Sequence, residues 1–451
     1  MEGETASETR QLVAFAASRR FEDLPADVVR ESKRCMLDYL GVVLGALEAD
    51  APRIARELIR TLGGAPQAHI LGFGDTTSVS NAALVNGVLS HVLDFDDTHI
   101  PTILHPSGPI MSAGLPLAEW KGRSGRDLIL AHGVALEVSA RASLALYPEH
   151  YDVGWHMTGT TGTLGAATAS ALLLGLDEGQ LLHALGIAAT QAAGQREQFG
   201  AMTKSLHCGK AASNGALAAL LALGGWTAAA DSLQGRRGMF SVMSTASKPM
   251  ELVEELGQRW EIRRNGFKPY ACGVVTHPAI DAVRRLGSEQ GVRADEVERI
   301  DLRVHPLVLE LTGKTDPQTG LEGKFSIGFA TAIALIEGAA RPRQFTDANV
   351  RRPDVVALRQ RIYAVADTGV SHTEAIATAR LAGGATRTEH VRAASGTPEN
   401  PISDADLRDK FMDLAGPALG QAQAAALAEL VNRLETLDGL APLVAAACQA
   451  Q

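Results

Sequence analysis

Aromatic residues are scarce in this chain, at 4% of its 451 residues. Runs of β-branched residues are rare as well, which disfavours an all-β core and favours a helical one. Cysteine is thin: Cys35, Cys208, Cys272 and Cys448 are scattered, without the paired spacing of a metal site or a disulfide framework. No stretch reads as the roughly 20 apolar residues of a membrane span. The weakly polar stretch from Gly215 to Ala230 contains a Gly-Gly pair and Thr227 and reads as a buried helix. Excess positive charge is also missing. A net charge of −9 and a pI near 5.8 leave no general attraction to nucleic acid or to an anionic membrane. Basic groups that matter must therefore be local. Nothing at the N-terminus reads as a signal peptide, so a cytoplasmic location is the expectation.

Apolar residues at 46% against 21% charged are the balance of a folded chain with a large core, and this length suggests two domains. Pro25 opens a segment, Leu24 to Leu47, in which Val29, Met36, Leu40 and Val43 or Leu44 recur at helical spacing. Ala- and Leu-rich segments of the same texture follow around Ser80 to Leu93, Gly108 to Trp120, Leu128 to Leu146, Thr160 to Leu174, Gln180 to Ala193 and Lys210 to Leu223. Beyond Arg263 the texture changes. Asn265-Gly266 reads as a turn, and Val297 to Leu311 alternates, with Ile300, Leu302 and Val304 on one face of a strand. Gln360 to Ala366, Ala375 to Leu381 and a helix around Ser326 to Glu337 complete an α+β unit. After Pro398 and Pro401, Ser403 caps a helix carrying Leu407 and Phe411. The expected fold is mainly α: a large all-helical domain over 1–264 and 401–451, with an inserted, smaller α+β lid domain over 265–400.

The densest polar cluster in an apolar setting runs from His91 through Asp94, Asp96, Asp97, Thr98 and His99 to His105-Pro-Ser107-Gly108. Asp94 falls at the end of a helix, where the dipole disfavours a carboxylate unless a partner compensates it. Ser107 and Gly108 open the next helix, whose free N–H groups can bind an anion. Three readings compete: a metal site, an aspartate-rich diphosphate site and an acid/base site. No second carboxylate cluster completes the first, and Ile100 stands where the second needs an acid. The plainest alternative is a solvated loop with a capping acid. Downstream, His156 in GWHMTGT reads as a helix cap taken alone. Lys204 and Lys210 flank an apparent turn in MTKSLHCGK, where a lone lysine is usually solvated. Lys268 in GFKPY stands at the domain junction, within reach of an interdomain cleft, and His277 follows in THP.

Taken in order, DFDDT…HPSG, GWHMTGT, MTKSLHCGKAASNG, FKPYAC…THP and GKFSIGF resemble the MmgE/PrpD family from about Leu12 to Leu437. That family includes 2-methylcitrate dehydratase, cis-aconitate decarboxylase and iminodisuccinate epimerase. The resemblance implies a helical domain with an α+β lid, usually dimeric, with no cofactor and no metal. A small di- or tricarboxylic acid is the implied partner, with neither nucleic acid nor membrane. Asp94, Thr98, His105, His156, Lys204 and Lys268 fall on active-site positions of cis-aconitate decarboxylase. Two positions depart: Gly273 and Phe329 replace a histidine and a tyrosine.

The implied chemistry is proton exchange beside a carboxylate, through an enediolate-like carbanion. Lys204, Lys268, the histidines and the helix start at Ser107 are the donors available to stabilise it. His105 or His156 is the expected base or acid, Asp94 is a candidate to orient His105, and Lys204 is an alternative base. Thr98, Ser107, Gly108 and His277 are expected to contact substrate, His277 as a stand-in for the missing histidine. The expected activity is a metal-independent hydro-lyase, with an epimerase, a decarboxylase and a non-catalytic polycarboxylate binder as alternatives.

Overall fold

In the computed structural model, residues 7–448 are described. Numbering helices of at least eight residues in chain order, the first part of the chain holds α1 (Glu8–Ser18), α2 (Ala26–Gly45), α3 (Asp50–Leu62), α4 (Val79–Val92) and α5 (Ser107–Lys121). It continues with α6 (Gly125–Leu146), α7 (Met157–Leu174), α8 (Glu178–Ala189) and α9 (Thr203–Leu223). α6 is the one helix among the described residues long and apolar enough to cross a membrane, and it lies buried inside the bundle.

The α4–α9 crossing is set by two glycines. A Cβ on Gly87 would stand 2.6 Å from the Gly209 Cα, so only hydrogen at both positions lets the backbones touch. The apparent turn between Lys204 and Lys210 is helical: α9 runs through both lysines, and Gly209 serves close packing within it. α9 also ends at Leu223, short of the helix expected to Ala230. Gly225 there takes φ +89°, and Trp226 is exposed.

The α+β part carries α10 (His277–Ser288), α11 (Ile327–Glu337) and strands β1 (Val297–Val304), β2 (Ile362–Ala366), β3 (Ala375–Leu381) and β4 (Thr386–Val391). Their order is β2-β1-β3-β4, with β1 and β2 parallel and the other pairs antiparallel. Ile300, Leu302 and Val304 are buried as the alternation requires, and Ser326 caps α11. β1 stops at Val304 and not at Leu311, since His305 and Pro306 start a short helix. Asn265-Gly266 is not a turn. It pairs antiparallel with Thr98-His99, and a Cβ on Gly266 would meet the Gly396 carbonyl oxygen at 2.4 Å.

α12 (Asp404–Leu419) and α13 (Gln421–Asn432) close the chain. Ser403 caps α12, whose Phe411 and Leu414 settle against Gly41 and Gly45 of α2, so the C-terminal helices pack on the helical part.

Candidate active site

The site begins where α4 ends. Asp94 takes φ +50°, a left-handed conformation that aspartate tolerates better than most residues. Its carboxylate lies 2.5 Å from Lys268 Nζ and 3.3 Å from Lys204 Nζ, and all three side chains are buried. Two cations thus compensate the carboxylate at the helix end. Burial alone would raise the Asp94 acid, but Lys204 and Lys268 outweigh it and hold it well below 3.8. Burial likewise works against the Lys268 ammonium, and Asp94 with Asp96 overcomes it, leaving Lys268 above its usual value. Lys204 ends below 10.5, with burial the larger influence.

Three buried histidines stand beside this triad. His105 Nδ1 lies 2.9 Å from the Asp97 carbonyl oxygen and 3.0 Å from Thr98 Oγ1. A carbonyl only accepts, so Nδ1 carries the proton and Nε2 of the neutral ring is left with a lone pair. Burial, then Lys268, holds this imidazole well below 6.5. His91 Nδ1 meets Asp96 Oδ2 at 2.7 Å, and its Nε2 is 3.0 Å from Lys204 Nζ. With an ionised Asp96 as acceptor, His91 donates from Nδ1 and accepts from Lys204 at Nε2. His156 occupies the N-cap position of α7 but makes no capping bond; its Nδ1 lies 3.1 Å from His207 Nδ1. Burial, then Lys204, holds His156 well below 6.5.

Asp94, His105, His156, Lys204 and Lys268 line one small cavity, together with Ile103, Tyr151, Phe199, Gly273, Val274, Val275, Leu311, Thr312 and Phe325. Phe199 and Phe325 stack at 5.5 Å over its edge. Outside them Arg196, from the helical part, pairs with Glu310 of the α+β part at 2.5 Å.

Thr98, Ser107, Gly108 and His277 are not among the lining residues. Thr98 sits behind His105. The Ser107 hydroxyl donates to Asp97 Oδ2 at 2.5 Å and lies 3.0 Å from His132 Nε2, and Gly108 packs against Cys208 and Ser90. His277 Nε2 lies 3.3 Å from the Cys272 carbonyl oxygen and its ring meets Tyr270 edge-on, so it does not fill the space beside Gly273. Asp94 does not orient His105 through a hydrogen bond, as its carboxylate is taken by lysines; the Asp97 backbone and Thr98 do that. Phe329 is buried against Phe345, outside the lining.

Several members of the site were not singled out from the sequence. His91 and Asp96 were visible in the polar cluster but undistinguished there. Lys324, in GKFSIGF, carries no signal apart from its motif. Phe199, Tyr151 and Arg196 carry no local signal. His91, His105 and His156 each offer a nitrogen within 4.8 Å of the others, a donor set that suits a transition-metal ion. The Lys204 ammonium stands at His91 Nε2, so the positive charge in this nest of imidazoles comes from the chain itself.

The sequence model of the MmgE/PrpD N-terminal domain matches residues 10–252, and that of the MmgE/PrpD C-terminal domain matches residues 270–436. Cis-aconitate decarboxylase of Aspergillus terreus (strain NIH 2624 / FGSC A1156) is 27% identical over 474 residues, spanning 97% of this chain and 95% of its own. The Homo sapiens protein of that name is 29% identical, covering 91% of this chain and 88% of its own. The Mus musculus one is 28% identical, at 96% and 91%. The chain thus belongs to the MmgE/PrpD family, as an enzyme of the lyase type found there.

Proposed function

We propose that this enzyme removes a proton from the carbon next to a carboxylate of a small di- or tricarboxylic acid and eliminates water from the adjacent carbon, as 2-methylcitrate dehydratase does. One observation carries the reading: a neutral imidazole of fixed tautomer shares a small cavity with two buried ammonium groups. His105 Nε2 takes the proton, and the C–H electron pair moves into the carboxylate as an enediolate. Lys204 and Lys268 stabilise that charge in a low-dielectric setting. As the enediolate collapses, a carbon–carbon double bond forms and the neighbouring C–O bond breaks. The departing hydroxide takes the proton that His105 has gained and leaves as water, which restores the neutral imidazole; His156, a neutral ring beside His207, lines the cavity without supplying it.

A second reading is favoured by the names of the relatives, decarboxylation of cis-aconitate. Gly273 weighs against it, because that position lines the cavity and brings no imidazole there. Product analysis by proton NMR separates the two. With purified enzyme and a panel of 2-methylcitrate, citrate and cis-aconitate, dehydration converts a hydroxy acid into an alkene of unchanged carbon count. Loss of carbon dioxide from cis-aconitate with no reaction of the hydroxy acids would replace this proposal with the second.

A further inference from the structure

Three consecutive carbonyl groups at the end of α4 accept hydrogen bonds from three different buried lysines. Lys324 Nζ donates to the Leu93 carbonyl at 2.6 Å, Lys268 Nζ to that of Asp94 at 3.2 Å and Lys410 Nζ to that of Phe95 at 2.7 Å. Lys324 and Lys410 each hold a second carbonyl, and both of these belong to the loop that carries Lys268. Lys324 donates to Ala271 at 2.7 Å, and Lys410 to the carbonyl of Lys268 itself at 2.9 Å. The two side chains thus bridge the same pair of segments, one on each sequence flank of Asp94. Neither lines the main cavity.

Capping one helix end does not call for three buried ammonium groups, since a single exposed cation near the last turn serves that purpose. Burying an ammonium is costly unless it is well partnered. Lys410 has Asp38 at 2.7 Å. Lys324 has no carboxylate within ion-pair distance among the described residues and rests on its two carbonyls and the face of Phe345. What these lysines secure is the left-handed turn at Asp94 and its register against Lys268, the geometry on which the charges of the cavity depend.

We propose that Lys324 and Lys410 are positioning residues for the reaction: paired ammonium staples that fix the Asp94 turn to the Lys268 loop and so place the Asp94, Lys204 and Lys268 charges relative to the imidazoles. The proposal rests on reading the cavity as the catalytic site. It also gives the staples a pH dependence. Burial pulls Lys324 down to about 8, with Asp94 and Cys272 opposing that shift and Lys268 and Lys204 adding to it. A proton leaves as pH rises through that value, so the Lys324 staple weakens on the alkaline side.

The test uses the full-length K324M, K410M and K324R variants. Displacing a catalytic group by 1 Å can cost on the order of 100-fold in rate. K324M and K410M are therefore expected to lower kcat by about tenfold or more while KM changes by less than about threefold. An alkaline loss of kcat near pH 8 in the wild type should move upward in K324R, whose guanidinium stays charged. Wild-type kcat and an unmoved alkaline limb in these variants would overturn the proposal. Should the methionine variants not fold, nitrogen-15 NMR of lysine-labelled wild type decides: a slowly exchanging Lys324 ammonium titrating near 8 supports the staple, and a freely exchanging one titrating near 10.5 refutes it. If no polycarboxylate reacts with the wild type, the proposed function fails on its own. Histidine NMR titrations of substrate-free K324M and K410M then still report on the staples, and curves identical to wild type count against them.

Discussion

A neutral imidazole whose Nδ1–H is committed to a backbone carbonyl can act as a base only through Nε2, and His105 meets that condition. Replacing it with asparagine should lower kcat by on the order of 100-fold or more, the usual contribution of a positioned base, with a much smaller effect on substrate affinity. Steady-state kinetics on a folded H105N variant checks this. The pH dependence has a definite sign. The base works deprotonated, and burial with Lys268 holds it well below 6.5, so kcat/KM should show no acid limb down through pH 6.5 and decline only below. An acid limb at or above pH 6.5 would mean that another group, or a solvated histidine, is the base. Much at this scale was legible in the sequence, because Asp94, His105, His156, Lys204 and Lys268 stand in motifs whose order is distinctive. The hydrogen-bond directions were not. That Asp94 faces lysines, while the Asp97 backbone and Thr98 hold His105, follows from the left-handed turn at Asp94, which no spacing rule announces.

Elements were legible where one face is apolar and a cap is present. α4, α11 and α12 have Ser78, Ser326 and Ser403 at their N-caps, and the strand face of Ile300, Leu302 and Val304 is buried as read. Glycine misled at Gly266, because close backbone packing and chain reversal use the same residue. α3 escaped notice although Ile54, Leu58 and Leu62 recur on it at helical spacing; in the structure that stripe is exposed. The packing of α12 on α2 has an energetic consequence. Phe411 is 1% exposed and fills the space over Gly41. Phe411→Ala should therefore destabilise the fold by about 3–5 kcal/mol, read as a lower midpoint in urea unfolding. The same change also loosens the helix that delivers Lys410, so activity should fall in the folded fraction as well.

At the scale of the whole molecule, the site is assembled from residues 91–105, 156, 204, 268 and 324, with Lys410 arriving from the far end of the chain. The α+β part meets the helical part through the Asn265–Asp97 hydrogen bond, the Lys268–Asp94 pair and the strand pairing of Thr98-His99 with Asn265-Gly266. These contacts are buried. The Arg196–Glu310 pair lies nearer solvent, beside the stacked Phe199 and Phe325. If the α+β part moves as a lid, we expect the opening on that side, since fewer buried polar contacts have to break there.

The central claim is that His105 exchanges a proton at the carbon beside a carboxylate. The most direct measurement is proton NMR of the enzyme in heavy water with 2-methylcitrate, citrate, cis-aconitate, tartrate-like and iminodisuccinate-like acids, wild type against H105N. The account predicts that deuterium enters one α-carbon of a reactive acid with the wild type and that this exchange is lost in the variant. Exchange at the wild-type rate in H105N, or acids that bind the wild type without any exchange or turnover, would contradict it.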